Sequence, residues 1–167
     1  ASHDGSFQVM VEAETAPGRQ LDLELFDQAG AILARVTAPA ASTTTELVGR
    51  WNDVRPWSPE SPHLVAWLVT VRNGNTVVDR WRGHTGFRTF SWDGGRLHIN
   101  GTPLRLRSHA PTSPSGVFEP GRLEQLKRFG CNSVFLHSKQ GGHWAPFFEQ
   151  LDRAGLVCFA PVPRDLP

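Results

Sequence analysis

The side chains that could do chemistry together are concentrated in the second half of this sequence. His109, His137 and His143 stand at strand ends or in a loop, Trp144 precedes a helical pattern, and the carboxylates are Asp93, Glu119, Glu124, Glu149, Asp152 and Asp165. Paired carboxylates can act as acid and base or as nucleophile, and histidines can carry a proton or bond a hydroxyl. An exposed indole can offer its face to a sugar ring. Spacing narrows the choice. Glu124, Glu149 and Asp152 fall in helical patterns, where a solvated face accounts for them; Asp93 is in a turn and Glu119 lies near a helix start. Only Asp165 closely follows a strand-like run, so no carboxylate pair is found. His109, His137 and Asp165 lack the short spacing of a metal centre. "GGRLHING" has glycines but no helix start after them, so a phosphate cradle and a cofactor are not expected. The residues kept as substrate-binding candidates are His109, His137, Trp144 and Asp165, with none assigned as catalytic or metal-binding. Polar loop packing for the histidines, and a cap on a helix–sheet core for Trp144, stay open as alternatives.

These side chains must be positioned by two halves with different periods. Up to residue 90 the chain reads as strands: Phe7, Val9 and Val11 alternate with polar neighbours, as do Leu21, Leu23 and Leu25. "AILARVTA" and "TTTELVGR" follow turn signals, and "HLVAWLVTV" and "TVVDRW" flank Asn73-Gly74-Asn75, a hairpin signal. Short strands at this spacing predict a β-sandwich. The proline-rich "VRPWSPESPH" cannot donate a full ladder and is read as a bend along the sandwich edge. Trp51, Trp57, Trp67, Trp81 and Trp92 are read as packing residues.

Beyond residue 111 the period changes. "EPGRLEQLKRFG" predicts a helix stopped at Gly130, "CNSVFLH" a buried strand, "APFFEQLDRAG" a helix stopped at Gly155, and "LVCFAP" another strand. With a strand at 104–108 before them, this order predicts parallel pairing through right-handed crossovers. Asp93-Gly94-Gly95 is read as a hairpin that carries the last sandwich strand into this α/β half. The expected domains are 1–91 and 92–167.

Composition sets broad bounds. The chain has 167 residues, 39% of them hydrophobic and 20% charged, as in globular proteins. A net charge of +1 carries no electrostatic footprint for nucleic acid or an anionic membrane. No apolar run approaches the roughly 18 to 20 residues that cross a bilayer as a helix. Cys131 and Cys158 are too few for a disulfide framework and are read as buried free thiols. The chain starts at Ala1 without a signal-peptide pattern, is read as processed or cut from something longer, and leaves its compartment unknown.

Five stretches, "RPWSPESPHL", "GFRTF", "INGTPLRLR", "LKRFGCNSV" and "FFEQLDRAGLVCF", occur in an order that resembles the family 2 glycoside hydrolases, the β-galactosidase, β-glucuronidase and β-mannosidase group. The resemblance implies a multi-domain β plus α/β fold: an immunoglobulin-like β-sandwich followed by a partial (β/α)8 barrel, with its first three strands and two helices. It implies a parent β-glycosidase with a carbohydrate substrate, whose two catalytic glutamates follow the fourth and seventh barrel strands. Retaining hydrolysis needs two carboxyl groups about 5 to 5.5 Å apart, so the chain alone is expected to be inactive. At the strand ends it departs from the family. "RSHAPTS" stands where "RGVNRHE" is common, "NSVFLHSKQ" where "NAVRTSHYP" is, and Ala160-Pro161 where the family has "DE". Its partners are then the carbohydrate substrate, the remainder of the barrel or, across unpaired strand edges, a second copy. The alternative is a non-catalytic module for carbohydrate binding or interdomain scaffolding.

Overall fold

The computed structural model describes residues 5–14, 16–110, 121–136 and 144–159, with the backbone alone at Trp144 and Ala145. Two compact units emerge. One comprises the chain up to Pro56 together with Leu64–Thr89; the other takes Trp57–His63 and the chain from Phe90 onward.

The first unit is a β-sandwich. Strands β1 (Ser6–Glu12) and β4 (Thr44–Arg50) pair as one antiparallel sheet, while β2 (Arg19–Phe26), β3 (Ile32–Pro39), β5 (Val65–Asn73) and β6 (Thr76–Thr85) form a second in the order β3-β2-β5-β6. The alternation read from the sequence sets the two faces. Leu21, Leu23 and Leu25 pair with Val71, Val69 and Trp67 of β5, which places all six on one face. Together with Phe7, Val11 and Leu47 they build the core. Trp51 closes it, 5% exposed and edge-on to Phe87 with ring centroids 4.6 Å apart. The opposite face of the large sheet is polar and cross-linked: Asp22 accepts from Thr37 Oγ1 at 2.7 Å and from Arg72 Nε at 2.8 Å. Asp27 shapes the β2–β3 turn by accepting the N–H groups of Ala29 and Ala31 on one carboxylate oxygen.

The second unit starts with a three-stranded antiparallel meander of β7 (Phe90–Asp93), β8 (Arg96–Ile99) and β9 (Thr102–Pro103). The Asp93-Gly94-Gly95 hairpin therefore belongs to a sheet of its own rather than extending the sandwich. Next come β10 (Ser108–His109), α1 (Arg122–Arg128), β11 (Ser133–Phe135), α2 (Trp144–Ala154) and β12 (Val157–Phe159). Strands β10, β11 and β12 are neighbours in that order and all parallel. Both helices end where the sequence placed their stops, at Gly130 with φ 77° and Gly155 with φ 68°. Leu126, Val134, Leu136, Phe147, Leu151 and Leu156 pack the helices onto one face of this sheet.

Several expectations are corrected. The strand read at 104–108 is confined to Ser108–His109. Leu104 donates its N–H to Leu97 O, continuing the meander, and the next residues bond to a side chain instead of a strand. That side chain is Asn132, 3% exposed, which accepts from Arg107 N at 2.7 Å and donates to Arg105 O at 2.9 Å. The proline-rich bend does not stay on the sandwich edge; Trp57–His63 packs within the second unit. Trp57 is fully buried there because its indole N–H has a partner, the α2 carbonyl of Asp152 at 2.8 Å. Trp81 and Trp92 are not packed away: they are 40% and 72% exposed, and Phe90, two residues from Trp92 on the same face of β7, is also exposed. Cys131 and Cys158 are free but half-buried.

Candidate functional site

Parallel strands followed by helices bring their carboxyl ends to one edge, where such folds place their chemistry. Of the sequence candidates, His109 stands at that edge, as the last residue of β10 and half-buried. His137 and Asp165 lie outside the described residues, as does the side chain of Trp144, the first residue of α2. The structure thus locates one of the four side chains.

What it sets beside His109 is Arg122, the first residue of α1, with Nη2 3.5 Å from His109 Nε2. A guanidinium can only donate, so a hydrogen bond across this contact runs from Arg122 Nη2 to His109 Nε2. Arg122 Nη1 donates to Gln125 Oε1 at 2.7 Å, one turn along the helix. The guanidinium thus lies between Gln125 and His109. The sequence reading missed Arg122. It carries no motif, and only the packing of α1 against β10 reveals its relation to His109.

The strands are held in place by a second set of residues that the sequence did not single out. Asn132 replaces the missing ladder before β10, and its own N–H donates to Arg107 O at 3.1 Å. Ser108 and Ser133, opposite each other in the β10–β11 register, share a hydroxyl hydrogen bond of 2.7 Å. Lys127 Nζ donates to Pro59 O at 2.8 Å and to Gly155 O at 3.2 Å. Burial pushes the Lys127 ammonium below its ordinary pKa; Glu60 opposes that shift and Arg107 adds to it. These groups order the scaffold and bring no reacting group to the strand ends.

The described acids do not assemble. Glu149 pairs with Arg153 on α2 at 2.8 Å, Asp93 and Glu124 are exposed, and the Asp152 backbone caps the Trp57 indole. Among the described residues no Asp or Glu stands directly after the last residue of β10 or β11, and no group of His, Cys, Asp and Glu could hold a metal. The Cys158 thiol is no activated nucleophile: burial, with the negative charge of Asp152, raises its pKa to about 11.

A cleft of about 590 Å3 lies within the sandwich, between β1 and the inner face of β5 and β6. Trp67 and Trp81 line it with Leu23, Leu25 and Val69, and Arg88 stands among its polar groups. Gly83 is what lets the Trp67 indole lie across β6, since a Cβ there would stand 2.6 Å from the ring.

Comparison with known proteins places these observations. Residues 1–88 match the family model described as glycosyl hydrolases family 2. A β-galactosidase of Thermoanaerobacter pseudethanolicus is 24% identical over 150 residues, which is 84% of this chain and 20% of that protein. A β-galactosidase of Aeromonas hydrophila is 28% identical over 150 residues, covering 78% of this chain and 14% of the relative. The chain therefore spans a fifth or less of these relatives' lengths. Among solved structures, a Bifidobacterium dentium β-glucuronidase complexed with coumarin-3-O-glucuronide superposes with a TM-score of 0.74 at 20% identity, over 95% of this chain and 27% of that one. At that identity the likeness is one of fold.

Proposed function

The chain belongs to the glycosyl hydrolases of family 2, and on that premise we propose that it is the sandwich and the opening barrel strands of a longer β-glycosidase. In this reading residues 1–91 are the immunoglobulin-like domain, and 92–167 are the first three strands and two helices of a (β/α)8 barrel. The observation that carries it is the parallel order β10-β11-β12, with a helix after each of the first two strands, following the sandwich that the family model matches. The reaction is hydrolysis of an O-glycosidic bond, as in the β-galactosidases and β-glucuronidases it resembles. The nucleophile and the acid/base carboxylates come from chain outside this sequence, and this segment alone does not hydrolyse glycosides. His109 contributes to substrate binding from the first strand end, with His137, Trp144 and Asp165 assigned to the same face.

The test is an assay of the parent protein and of the 167-residue chain on a panel of aryl β-glycosides. Turnover by the parent alone is expected. A parent inert on every β-glycoside, or hydrolysis by the short chain, overturns the reading.

The outer strands of the three-stranded parallel sheet, β10 and β12, each have one unpaired edge among the described residues. We propose that these edges are covered by the remainder of the barrel in the parent and by a second copy in the isolated chain. Sedimentation of the isolated chain as a monomer at all concentrations would remove the second half of that statement.

One observation favours a different class. Trp81 faces the sandwich cleft and is 40% exposed, which suits stacking on a sugar in a non-catalytic binding role. Calorimetry with oligosaccharides separates the readings, because saturable heat that Trp81→Ala abolishes supports the binding module.

A further inference from the structure

One wall of the sandwich cleft is a strand edge. The lining takes in every residue of 7–12 in β1, although neighbouring residues of a strand point to opposite faces. A cleft touched by each residue in turn runs along the edge of the strand and not under one face. Hydrogen bonds at the two ends of the β1–β4 ladder fix which groups lie on that edge. Ala13 N donates to Thr43 O at 2.9 Å, and Trp51 N donates to Gly5 O at 3.1 Å. Antiparallel ladders bond alternate residues, so in the unbroken β1–β4 register Phe7, Val9 and Val11 bond β4. The backbone N–H and C=O groups of Gln8, Met10 and Glu12 point the other way, toward the cleft. Among the described residues no further strand pairs with β1.

Such an edge is a template for pairing unless charges, prolines or bulges block it. The other outer strands of the sandwich carry these blocks. β3 has Arg35 and Pro39, β4 has Glu46 and Arg50, and β6 has Asp79, Arg80 and Arg82 with a register break in its ladder. β1, with the sequence SFQVMVE, has no proline, no basic residue and no register break; its one charge, Glu12, stands at its end. Met10, on its outer face, is 58% exposed.

We propose that this edge pairs with β1 of a second copy of the chain, antiparallel about a two-fold axis at Val9. The strand's own sequence selects that occupant. With Val9 opposite the partner's Val9, Phe7 meets the partner's Val11 on the inner side and Gln8 meets the partner's Met10 on the outer side. Glu12 falls opposite the partner's Ser6, so no like charges meet. Gln8 and Met10, whose backbone groups reach the edge, become the bonded pairs of the new ladder. The two small sheets then join as β4-β1-β1-β4, and the added strand covers the cleft on the side of Trp81. This pairing uses the sandwich alone and is separate from any association through β10 and β12.

The experiment compares amide exchange of the 167-residue chain in dilute and concentrated samples, with the mass of each set by sedimentation. A dimer is expected on concentration, in which the amides of Gln8, Met10 and Glu12 exchange at least about tenfold more slowly than in the monomer. Val9 and Val11, bonded to β4, are protected at both concentrations. Met10→Pro removes an N–H that β4 does not use, and its ring stands where the second copy would bond. It should keep the β1–β4 ladder and lose the added protection of Gln8 and Glu12. Met10→Lys, a change at an exposed side chain, sets two ammonium groups diagonally across the axis and serves the same test if the proline variant does not fold. Protection that appears with concentration and vanishes in a folded variant supports the pairing. A chain that stays monomeric, or a dimer in which these three amides exchange as in the monomer, overturns it. Protection of the three amides in the monomer assigns the edge to another segment of the same chain and overturns the second copy as its occupant. Concentration-dependent protection that persists in a folded variant overturns the register at Val9.

Discussion

Replacing Trp57 by alanine should loosen the second unit while leaving the sandwich intact, although in sequence Trp57 lies between two sandwich strands. The side chain is 0% exposed and its indole N–H donates to Asp152 O at 2.8 Å. Truncating a buried tryptophan to alanine costs about 3 to 5 kcal/mol through lost transfer energy and the cavity left behind. Phenylalanine keeps most of the apolar volume and loses the hydrogen bond, which contributes about 1 kcal/mol. Asp152 O keeps a second donor, Gly155 N at 3.3 Å, so it is not stranded and the smaller figure applies. Hydrogen exchange reads the effect by location. The reporters in the second unit are Leu136 N–H, bonded to Phe159 O, and Val157 N–H, bonded to Asn132 O. Their exchange in Trp57→Ala should accelerate by roughly two to three and a half orders of magnitude, and in Trp57→Phe by about one. Leu23 and Val69, paired between β2 and β5, should exchange as in the wild type. Equal acceleration in β2 and β5, or none in β11 and β12, would refute the assignment of this segment to the second unit.

Further outcomes follow from the same contacts. Gly130→Ala and Gly155→Ala impose similar left-handed strain, about 1 to 2 kcal/mol, but a Cβ at Gly155 would stand 2.5 Å from Pro59 O while the nearest atom at Gly130 is 3.9 Å away. Denaturant titration should therefore show the larger loss at Gly155, and equal losses would contradict the close packing of Pro59. Asn132→Ala removes the partners of both Arg107 N and Arg105 O; a loss of about 2 to 4 kcal/mol is expected by urea unfolding, with the β10–β11 amides exchanging fastest. Since the folded-state pKa of Cys158 is raised from 9.0 to about 11, the unfolded chain gives up this proton first as pH rises. Between pH 9 and 11 the folded state binds more protons than the unfolded, so this residue's contribution to stability declines across that window. Iodoacetamide at pH 9 should alkylate Cys158 far more slowly in the native chain than in urea, and Cys158→Ala should flatten the decline.

Much of the fold was legible in the sequence because it depends on neighbours along the chain. Alternation at Leu21, Leu23 and Leu25 assigns a core face to any strand that contains it, and β2 uses that face. Gly130 and Gly155 stop their helices because the residue there takes φ near +70°, a local demand that glycine meets without strain. What sequence could not supply depends on groups brought together from afar. A proline-rich segment shows that it leaves the ladder but not which core takes its tryptophan; the carbonyl of Asp152, 95 residues away, decides that. Asn132 reads as an unremarkable polar residue before an apolar run, and only in the fold does it stand in for a strand. His109 could be picked out because it ends a strand-like run, yet Arg122 could not. Thirteen residues separate them, and only the return of α1 against β10 sets a guanidinium beside the imidazole. Local patterns fix which face each segment buries, while the meeting of particular polar atoms is settled only when those segments pack.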